Sequence, residues 1–426
     1  MVQLRLALAL GVGFLPLACQ AERPSAANPP NPNVSRGAEV EEARSASPNR
    51  GTLLQSVSIG RLSKSDLDTR FRRLGLQARF GVEIYRVVYQ SETPEPIPQA
   101  VQVSGLILVP DSKAPVYPWI SLQHGTIVGD AEAPSAAPGE GLFEASQGFI
   151  TIVSDYIGYG TSTDLLHPYV IEEAYADAGV DMLRAARSLA ADQGWNLGPL
   201  FLKGYSEGGY ATLALQKALE TVYQGEFPLV ASSAGAGPYD LETTGRILLD
   251  LPQTNPVNLP FVVMSFSRWK AQGNFDPESF FEVPVSVVAP LFEGSSRSED
   301  VFKALPTETK KIFEARIVED FVLDEPQLPE VQLFRSWLRE ESLLNQAWAP
   351  SVPTRLYHCT DDETVPVAAS RLTFNAFKAT QADSPVTLVE IASPKPERPY
   401  RHGSCPAIFS PLQWFSEILA RQPAKL

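Results

Sequence analysis

The sequence predicts a mainly parallel α/β sheet with helices on both faces, and three observations carry that expectation. Short apolar runs of strand length recur from about residue 80 onward, helical patterns separate them, and one late interval of 111 residues, 240 to 350, breaks the rhythm. That interval is far longer than an ordinary connection between a helix and a strand.

Taken in order, residues 82–89 and 101–109 alternate apolar and polar side chains, as antiparallel strands with one covered face do. The later runs Trp119–Leu122, Phe149–Val153, Leu200–Leu202, Leu229–Ser232, Thr354–Tyr357 and Val386–Ile391 are shorter and more continuously apolar, which suits buried parallel strands. Eight strands are thus expected. The clearest helix runs from Glu172 to Gln193, with Ala178, Met182, Ala185, Ala186 and Leu189 on one face and Gly194 positioned as its C-cap. Ala211, Ala214, Leu215 and Ala218 mark a second helix, and Pro411 to Arg421 a third, with Trp414, Phe415 and Ile418 together. Residues 240–350 combine prolines, acids and large apolar side chains such as Phe261, Phe266, Trp269, Phe334 and Trp337. They read as a helical cap inserted between strands six and seven, over the strand ends.

At the N-terminus Arg5 precedes 13 apolar residues, Leu6 to Ala18, too few to span a bilayer and right for a signal peptide over residues 1–18. Leu15-Pro16-Leu17-Ala18-Cys19 resembles a bacterial lipobox, which would lipidate Cys19; ordinary cleavage after Ala21 is the alternative. Residues 19–50 lack aromatics and are rich in Pro, Ala, Asn and Ser, and they read as a disordered linker. The expected organisation is then a core in two parts, 51–239 and 351–426, with the cap between them. The expected location is outside the cytoplasm: an outer-membrane or cell-surface lipoprotein, a periplasmic protein or a secreted one.

The 426 residues are 44% hydrophobic and 20% charged, enough for a sizeable core, and the net charge of −14 makes nucleic acid and anionic membrane surfaces poor partners. The histidines His124, His167, His358 and His402 and the three cysteines form no zinc motif. No phosphate-binding loop occurs, and Gly158-Tyr159-Gly160 lacks the third glycine of a dinucleotide fingerprint. Neither metal nor cofactor is expected.

Leu200-Phe201-Leu202-Lys203 leads into Gly204-Tyr205-Ser206-Glu207-Gly208-Gly209 and then the helix containing Ala211 to Ala218, which is G-x-S-x-G in a strand, turn, helix context. Glycines flank the serine because so tight a turn leaves no room for side chains. A serine that merely caps the helix is the bland alternative. A serine hydroxyl needs an imidazole base, itself held by a carboxylate, and the α/β-hydrolase arrangement supplies them in the order Ser, acid, His. Downstream, His358-Cys359-Thr360-Asp361-Asp362-Glu363-Thr364-Val365-Pro366 resembles the H-G-x-x-D-x-x-V-P pattern around that acid, with Cys359 replacing the glycine. Aligning the Val-Pro pair assigns the acid to Asp362; Asp361 and Asp240 are the alternatives. His402 is the only histidine after the acid and is the expected base.

Charge developing on an attacked carbonyl needs N–H donors already in place. Glu207, opening the helix after Ser206, should give one backbone N–H. Gly125 or Thr126, in Gln123-His124-Gly125-Thr126 after the strand Trp119–Leu122, should give the other. His124 and His167 read as structural.

Together with Asp155-Tyr156-Ile157-Gly158-Tyr159-Gly160, His167-Pro168-Tyr169 and Gly235-Ala236-Gly237-Pro238-Tyr239-Asp240, these motifs resemble the secretory lipase-like family, fungal secreted lipases and their bacterial relatives within the α/β-hydrolase superfamily. The resemblance covers about residues 80 to 425. It implies ester hydrolysis and a helical cap between the sixth and seventh strands. A serine peptidase of the prolyl oligopeptidase type shares the triad order but usually carries an N-terminal propeller, and no 40 to 50 residue repeat occurs here. A surface lipoprotein keeping the fold as a binding module is a third reading, against which stands the complete Ser, Asp and His set.

Two consequences follow from the triad. Cys359 lies three residues before Asp362 and Cys405 three after His402, so closing the triad brings the sulfurs together, and in an exported protein they can form a disulfide. The aromatic-rich cap over Ser206 suggests a small-molecule or lipid ester as substrate, since burying an acyl tail gives about 0.8 kcal/mol per methylene. The competing reading is that the aromatics only pack the cap and the pocket is small.

Overall fold

The computed structural model describes residues 49–250, 256–408 and 410–421. The signal segment, Cys19 and nearly all of the expected linker lie outside the described residues. The strands are β1 (Leu53–Leu62), β2 (Val82–Glu92), β3 (Ala100–Pro110), β4 (Tyr117–Gln123), β5 (Ile150–Ser154), β6 (Leu197–Tyr205), β7 (Leu229–Gly235), β8 (Thr354–Cys359) and β9 (Val386–Ile391). They form one sheet in the order β1-β2-β3-β5-β4-β6-β7-β8-β9, antiparallel from β1 through β5 and parallel from β5 to β9.

The sheet therefore has nine described strands where eight were expected. The additional one is β1, whose residues Leu54 to Arg61 are all exposed. It presents no buried face for a period-two pattern to reveal, and its backbone pairing with β2 defines it. The other strands follow the apolar runs. Along β3, Val103, Ile107 and Val109 join one core while Leu106 and Leu108 join the other; along β6, Leu200 and Leu202 oppose Phe201 in the same way. Both faces of the central strands are covered, which explains their nearly unbroken hydrophobicity.

One face is covered by helices α3 (Glu172–Gln193) and α4 (Glu207–Glu220), through Val180, Leu183, Leu215 and Leu219. Helix α3 ends at Gly194, whose φ of 72° and N–H bonds to Ala190 O and Ala191 O make the expected left-handed cap. The other face carries α1 (Lys64–Phe71), α2 (Leu142–Ser146) and the C-terminal α12 (Leu412–Arg421), through Leu67, Leu142 and Phe415.

Between β7 and β8 the chain forms the cap: α5 (Leu241–Asp250), α6 (Asn258–Trp269), α7 (Val285–Val288), α8 (Ser298–Ala304), α9 (Ala315–Phe321), α10 (Pro329–Glu340) and short 3-10 turns. In the nine-strand order this is the seventh-to-eighth interval, because the extra strand precedes all the others. Phe261, Phe266, Phe280, Phe292, Phe334 and Trp337 are buried in a single cluster that also takes in Tyr210, Ala211 and Ala214 of α4. The cap is thus fastened to the core over the carboxyl end of the sheet. Helix α11 (Val367–Thr380) links β8 to β9.

Folding starts earlier than the composition suggested. Arg50, the last residue of the expected linker, buries its guanidinium (1% exposed) between Asp177 at 2.7 Å and Asp181 at 3.0 Å on α3. It also donates to the Tyr223 hydroxyl at 2.9 Å. Charge pairing orders a residue that hydrophobicity does not.

Candidate active site

Parallel register sets the ends of β4, β6, β7 and β8 side by side: Gln123 lies opposite Gly204, and Tyr205 opposite Gly235, which in turn lies opposite Tyr357. Each strand releases its loop at the same level. Ser206 follows β6 with φ 60° and ψ −125°, a conformation costing a non-glycine residue about 1–3 kcal/mol. Its N–H donates to Gly235 O at 2.9 Å, and its C=O accepts from Gly209 N at 2.8 Å and Tyr210 N at 3.2 Å, so the surrounding backbone holds the strained turn. A methyl group on Gly208 would stand 2.1 Å from Gln123 O, and one on Gly204 would stand 2.0 Å from Gly208 O. Only glycine permits that approach.

Ser206, His402 and Asp362 meet here from three loops. Ser206 Oγ is 2.8 Å from His402 Nε2, and His402 Nδ1 is 2.7 Å from Asp362 Oδ2. The Asp362 carboxylate is fully buried and its other oxygen accepts from Thr364 N at 2.9 Å and Val365 N at 2.8 Å. A carboxylate so fixed makes Nδ1 the protonated nitrogen of His402 and leaves Nε2 to accept from the serine hydroxyl. The two alternative acids are engaged elsewhere. Asp361 is exposed and accepts from the Ser393 hydroxyl, while Asp240 Oδ1 accepts from Thr243 N at 3.1 Å at the start of α5.

The loop carrying His402 is anchored on several sides. Cys405 is bonded to Cys359, with Cα atoms 6.0 Å apart. Tyr205 donates its hydroxyl to His402 O at 2.9 Å, and His402 N donates to Glu363 Oε2 at 3.1 Å. His358 secures the acid loop: buried, and with its basicity reduced by that burial, its Nε2 is 2.8 Å from Val365 O and its Nδ1 2.7 Å from Ser370 Oγ. Val365 O can only accept, so Nε2 carries the proton and Ser370 donates to Nδ1. The sequence pattern contained His358 without revealing this role.

Gly125 flanks the serine, since a methyl group built on it would be 3.9 Å from Ser206 Cβ. Thr126 Oγ1 lies 3.1 Å from the Tyr169 hydroxyl. His124 stacks on Tyr156 at 4.0 Å, and Tyr156 donates to His124 O at 3.1 Å, so this histidine shapes its loop. Glu207 occupies the first position of α4, where a backbone N–H has no partner within the helix. Further along the same loop, Glu132 Oε2 accepts from Gly129 N at 3.1 Å and also from Ser298 N at 3.0 Å and Ser298 Oγ at 2.8 Å in the cap.

His167 has a partner that sequence reading missed. Its Nε2 is 3.1 Å from Glu207 Oε1, with both side chains buried. Forty residues separate them, and no local spacing points from one to the other.

Above Ser206 lies a narrow cleft of about 30 Å³, lined by Pro238, Leu241, Leu248, Leu259, Val262 and Leu338. Its apolar wall comes from aliphatic residues of the cap; the cap's aromatics are spent on packing. A second apolar cavity of about 20 Å³, lined by Phe280, Phe313, Phe321 and Phe334 among others, shares Leu259 with the first. Among the described residues no group of three His, Cys, Asp or Glu side chains is placed to hold a metal ion, and no helix is long and apolar enough to cross a membrane.

No protein-family model and no curated protein sequence matches the chain. Solved structures do. A candidate hydrolase of Legionella pneumophila matches with TM-score 0.78 and 21% identity, over 88% of this chain and 100% of that one. The rice cell wall degrading esterase LipA of Xanthomonas oryzae matches with TM-score 0.73 and 26% identity, over 88% and 97%. Candida antarctica lipase A in its closed state matches with TM-score 0.59 and 17% identity, over 88% and 83%. A mostly parallel sheet, a serine on a strained turn after β6 and these likenesses agree: the chain has the α/β-hydrolase fold and resembles the esterases and lipases built on it.

Proposed function

We propose that the protein hydrolyses carboxylic esters through an acyl-enzyme at Ser206. The observation that carries this reading is the continuous chain Ser206 Oγ, His402 Nε2 at 2.8 Å, His402 Nδ1, Asp362 Oδ2 at 2.7 Å, on a turn held in a strained conformation. Likeness to an esterase and a lipase favours esters over peptides.

In this reading Ser206 Oγ attacks the ester carbonyl carbon while His402 Nε2 takes the hydroxyl proton. Asp362 keeps the ring in the useful tautomer and stabilises the imidazolium. The N–H of Glu207, with that of Gly125 or Thr126, receives the oxyanion. The tetrahedral intermediate then expels the alcohol oxygen, which leaves with the proton held on His402. Water, deprotonated by the same nitrogen, attacks the acyl-enzyme and returns Ser206 with release of the acid. The largely aliphatic cap wall, interrupted by Thr244 and Asn258, suits an acyl group, and the cleft at about 30 Å³ holds little more than one water, so an acyl chain enters only by displacing side chains that line it.

The Cys359–Cys405 bond supports export to an oxidising compartment, in keeping with the signal-like N-terminus, and Cys19 is the proposed lipid anchor. The test of function is hydrolysis of p-nitrophenyl esters from acetate to palmitate by wild type and by Ser206→Ala. Loss of nearly all activity in the variant, with labelling of wild type alone by a fluorophosphonate, is expected. Activity kept by Ser206→Ala sinks the reading.

A further inference from the structure

The buried pair beside the nucleophile has a proton requirement that can be derived from its partners. His167 Nδ1 is 2.7 Å from Ile157 O, which can only accept, so Nδ1 carries a proton. Nε2 faces both the Tyr175 hydroxyl, at 3.1 Å, and Glu207 Oε1, also at 3.1 Å. Tyr175 accepts from Val170 N at 3.0 Å and stands 3.0 Å from Glu207 Oε1, so its single proton serves either Glu207 or His167. The remaining contact, Nε2 to Oε1, would set two lone pairs against each other unless another proton lies between them. Glu207 Oε2 is buried with no hydrogen-bond partner among the described residues. A bare carboxylate oxygen in such surroundings is costly, and aromatic rings enclose the site, with Tyr159 centred 4.9 Å and Phe261 5.8 Å from the His167 ring.

Glu207 is also the residue whose backbone N–H is read as an oxyanion donor. A full negative charge on its side chain would repel the charge that the same N–H is there to receive. We propose that His167 and Glu207 share one proton, and that this proton neutralises the Glu207 carboxyl so that it braces the start of α4 without opposing the oxyanion. The Glu207 carboxyl and His167 are then positioning groups, joined to the loop at Ile157 and to Tyr175 on α3. The inference rests on the ester-hydrolase reading of Ser206 for its kinetic consequence; the proton itself does not depend on that reading.

The test is a two-residue cycle on the full-length protein with p-nitrophenyl butyrate as substrate. His167→Gln can still offer an amide N–H to Oε1 but has no proton to share, and so leaves the carboxylate charged; kcat is expected to fall about 100-fold with KM changed less than about threefold. Adding Glu207→Gln in that background removes the charge and should return at least about tenfold of the lost kcat. A purely packing role predicts the opposite, a double variant no faster than His167→Gln. That result, or a His167→Gln variant with the wild-type kcat, overturns the proposal. Tyr175→Phe, which deletes one hydroxyl, serves if the His167 variants do not fold, and should lower kcat while KM holds; an unchanged kcat counts against the brace. Independently of catalysis, wild-type protein labelled with 15N-histidine should show a strongly deshielded ring proton that is lost in Glu207→Gln, and its absence ends the idea of a shared proton. A wild type inactive on every ester but with that resonance present would instead refute the function proposed for Ser206.

Discussion

Cys359 and Cys405 are bonded to one another across a sequence separation of 46, and each stands three residues from a member of the Ser, His, Asp chain, Asp362 and His402. The bond therefore closes a ring through the two loops that must meet. Replacing both cysteines by alanine should lower unfolding free energy by about 2–4 kcal/mol and reduce kcat more than it changes KM. Urea unfolding and steady-state kinetics on one preparation check both parts. Undiminished kcat would show that Tyr205 and Glu363 suffice to hold the imidazole.

The choice among acids has a sharp expectation. Asp362→Asn, which keeps the shape but removes the charge that fixes the His402 tautomer, should reduce kcat about 10⁴-fold. Asp361→Asn should leave kcat within a few-fold, and Asp240→Asn should cost at most about 1 kcal/mol of stability through its helix cap. A larger kinetic loss at either of those two than at Asp362 would reassign the acid.

The Arg50 cluster predicts both a stability loss and a pH dependence. Arg50→Met takes from Asp177 and Asp181 the cation they share, leaving Asp181 with Arg184 at 3.3 Å, and should destabilise the protein by about 3 kcal/mol. Burial pushes the Asp181 carboxyl up to about 7, with Arg50 opposing the shift and Asp177 adding to it. A raised folded value favours the protonated form, so this group's contribution is complete below the unfolded value near 4 and is lost as pH rises through 7. Melting temperatures across pH 4 to 7 should therefore fall less steeply for Asp181→Asn than for wild type. Parallel curves would contradict the assignment.

Gly245 on α5 lines the cleft above Ser206, and a methyl group added there would stand 3.3 Å from Phe321 and 3.7 Å from Leu259. Phe321 and Leu259 also line the second apolar cavity, so Gly245 stands beside the side chains that separate the two. Gly245→Leu should cut kcat/KM for octanoyl and longer esters at least about tenfold while acetate stays within about threefold, since each lost methylene contact is worth about 0.8 kcal/mol. Equal losses across the ester series would show that acyl chains take another route.

Much of this site could be read without coordinates because its chemistry is local. The glycines around Ser206 mark a turn too tight for side chains, and the Val365-Pro366 pair fixes the frame that selects Asp362. The eight strands with a buried face were visible in their periodicity, and β1 was not, because Leu54, Val57 and Ile59 point into solvent and only hydrogen bonds to β2 define the strand. Arg50 was hidden for the complementary reason: its partners lie more than 120 residues away on α3. The Glu207 and His167 contact is likewise a meeting of a loop with the start of α4, and no single window of sequence contains it. The cap's aromatics were legible as apolar mass, but their division between packing and cleft depends on which way each helix faces.

Arg50 also has a mechanical meaning. Among the described residues it is the first that is buried in the fold, and the residues immediately after it run into β1, an edge strand paired with β2 alone. A pull applied at Asn49 reaches the guanidinium next and is passed to Asp177 and Asp181, on a 22-residue helix that lies against β1, β2, β3 and β5. The ion pairs take that load in the interior, ahead of the strand that could otherwise be peeled away one hydrogen bond at a time. A load arriving at residue 49 is thus borne by buried charges before it can unzip the sheet beneath Ser206.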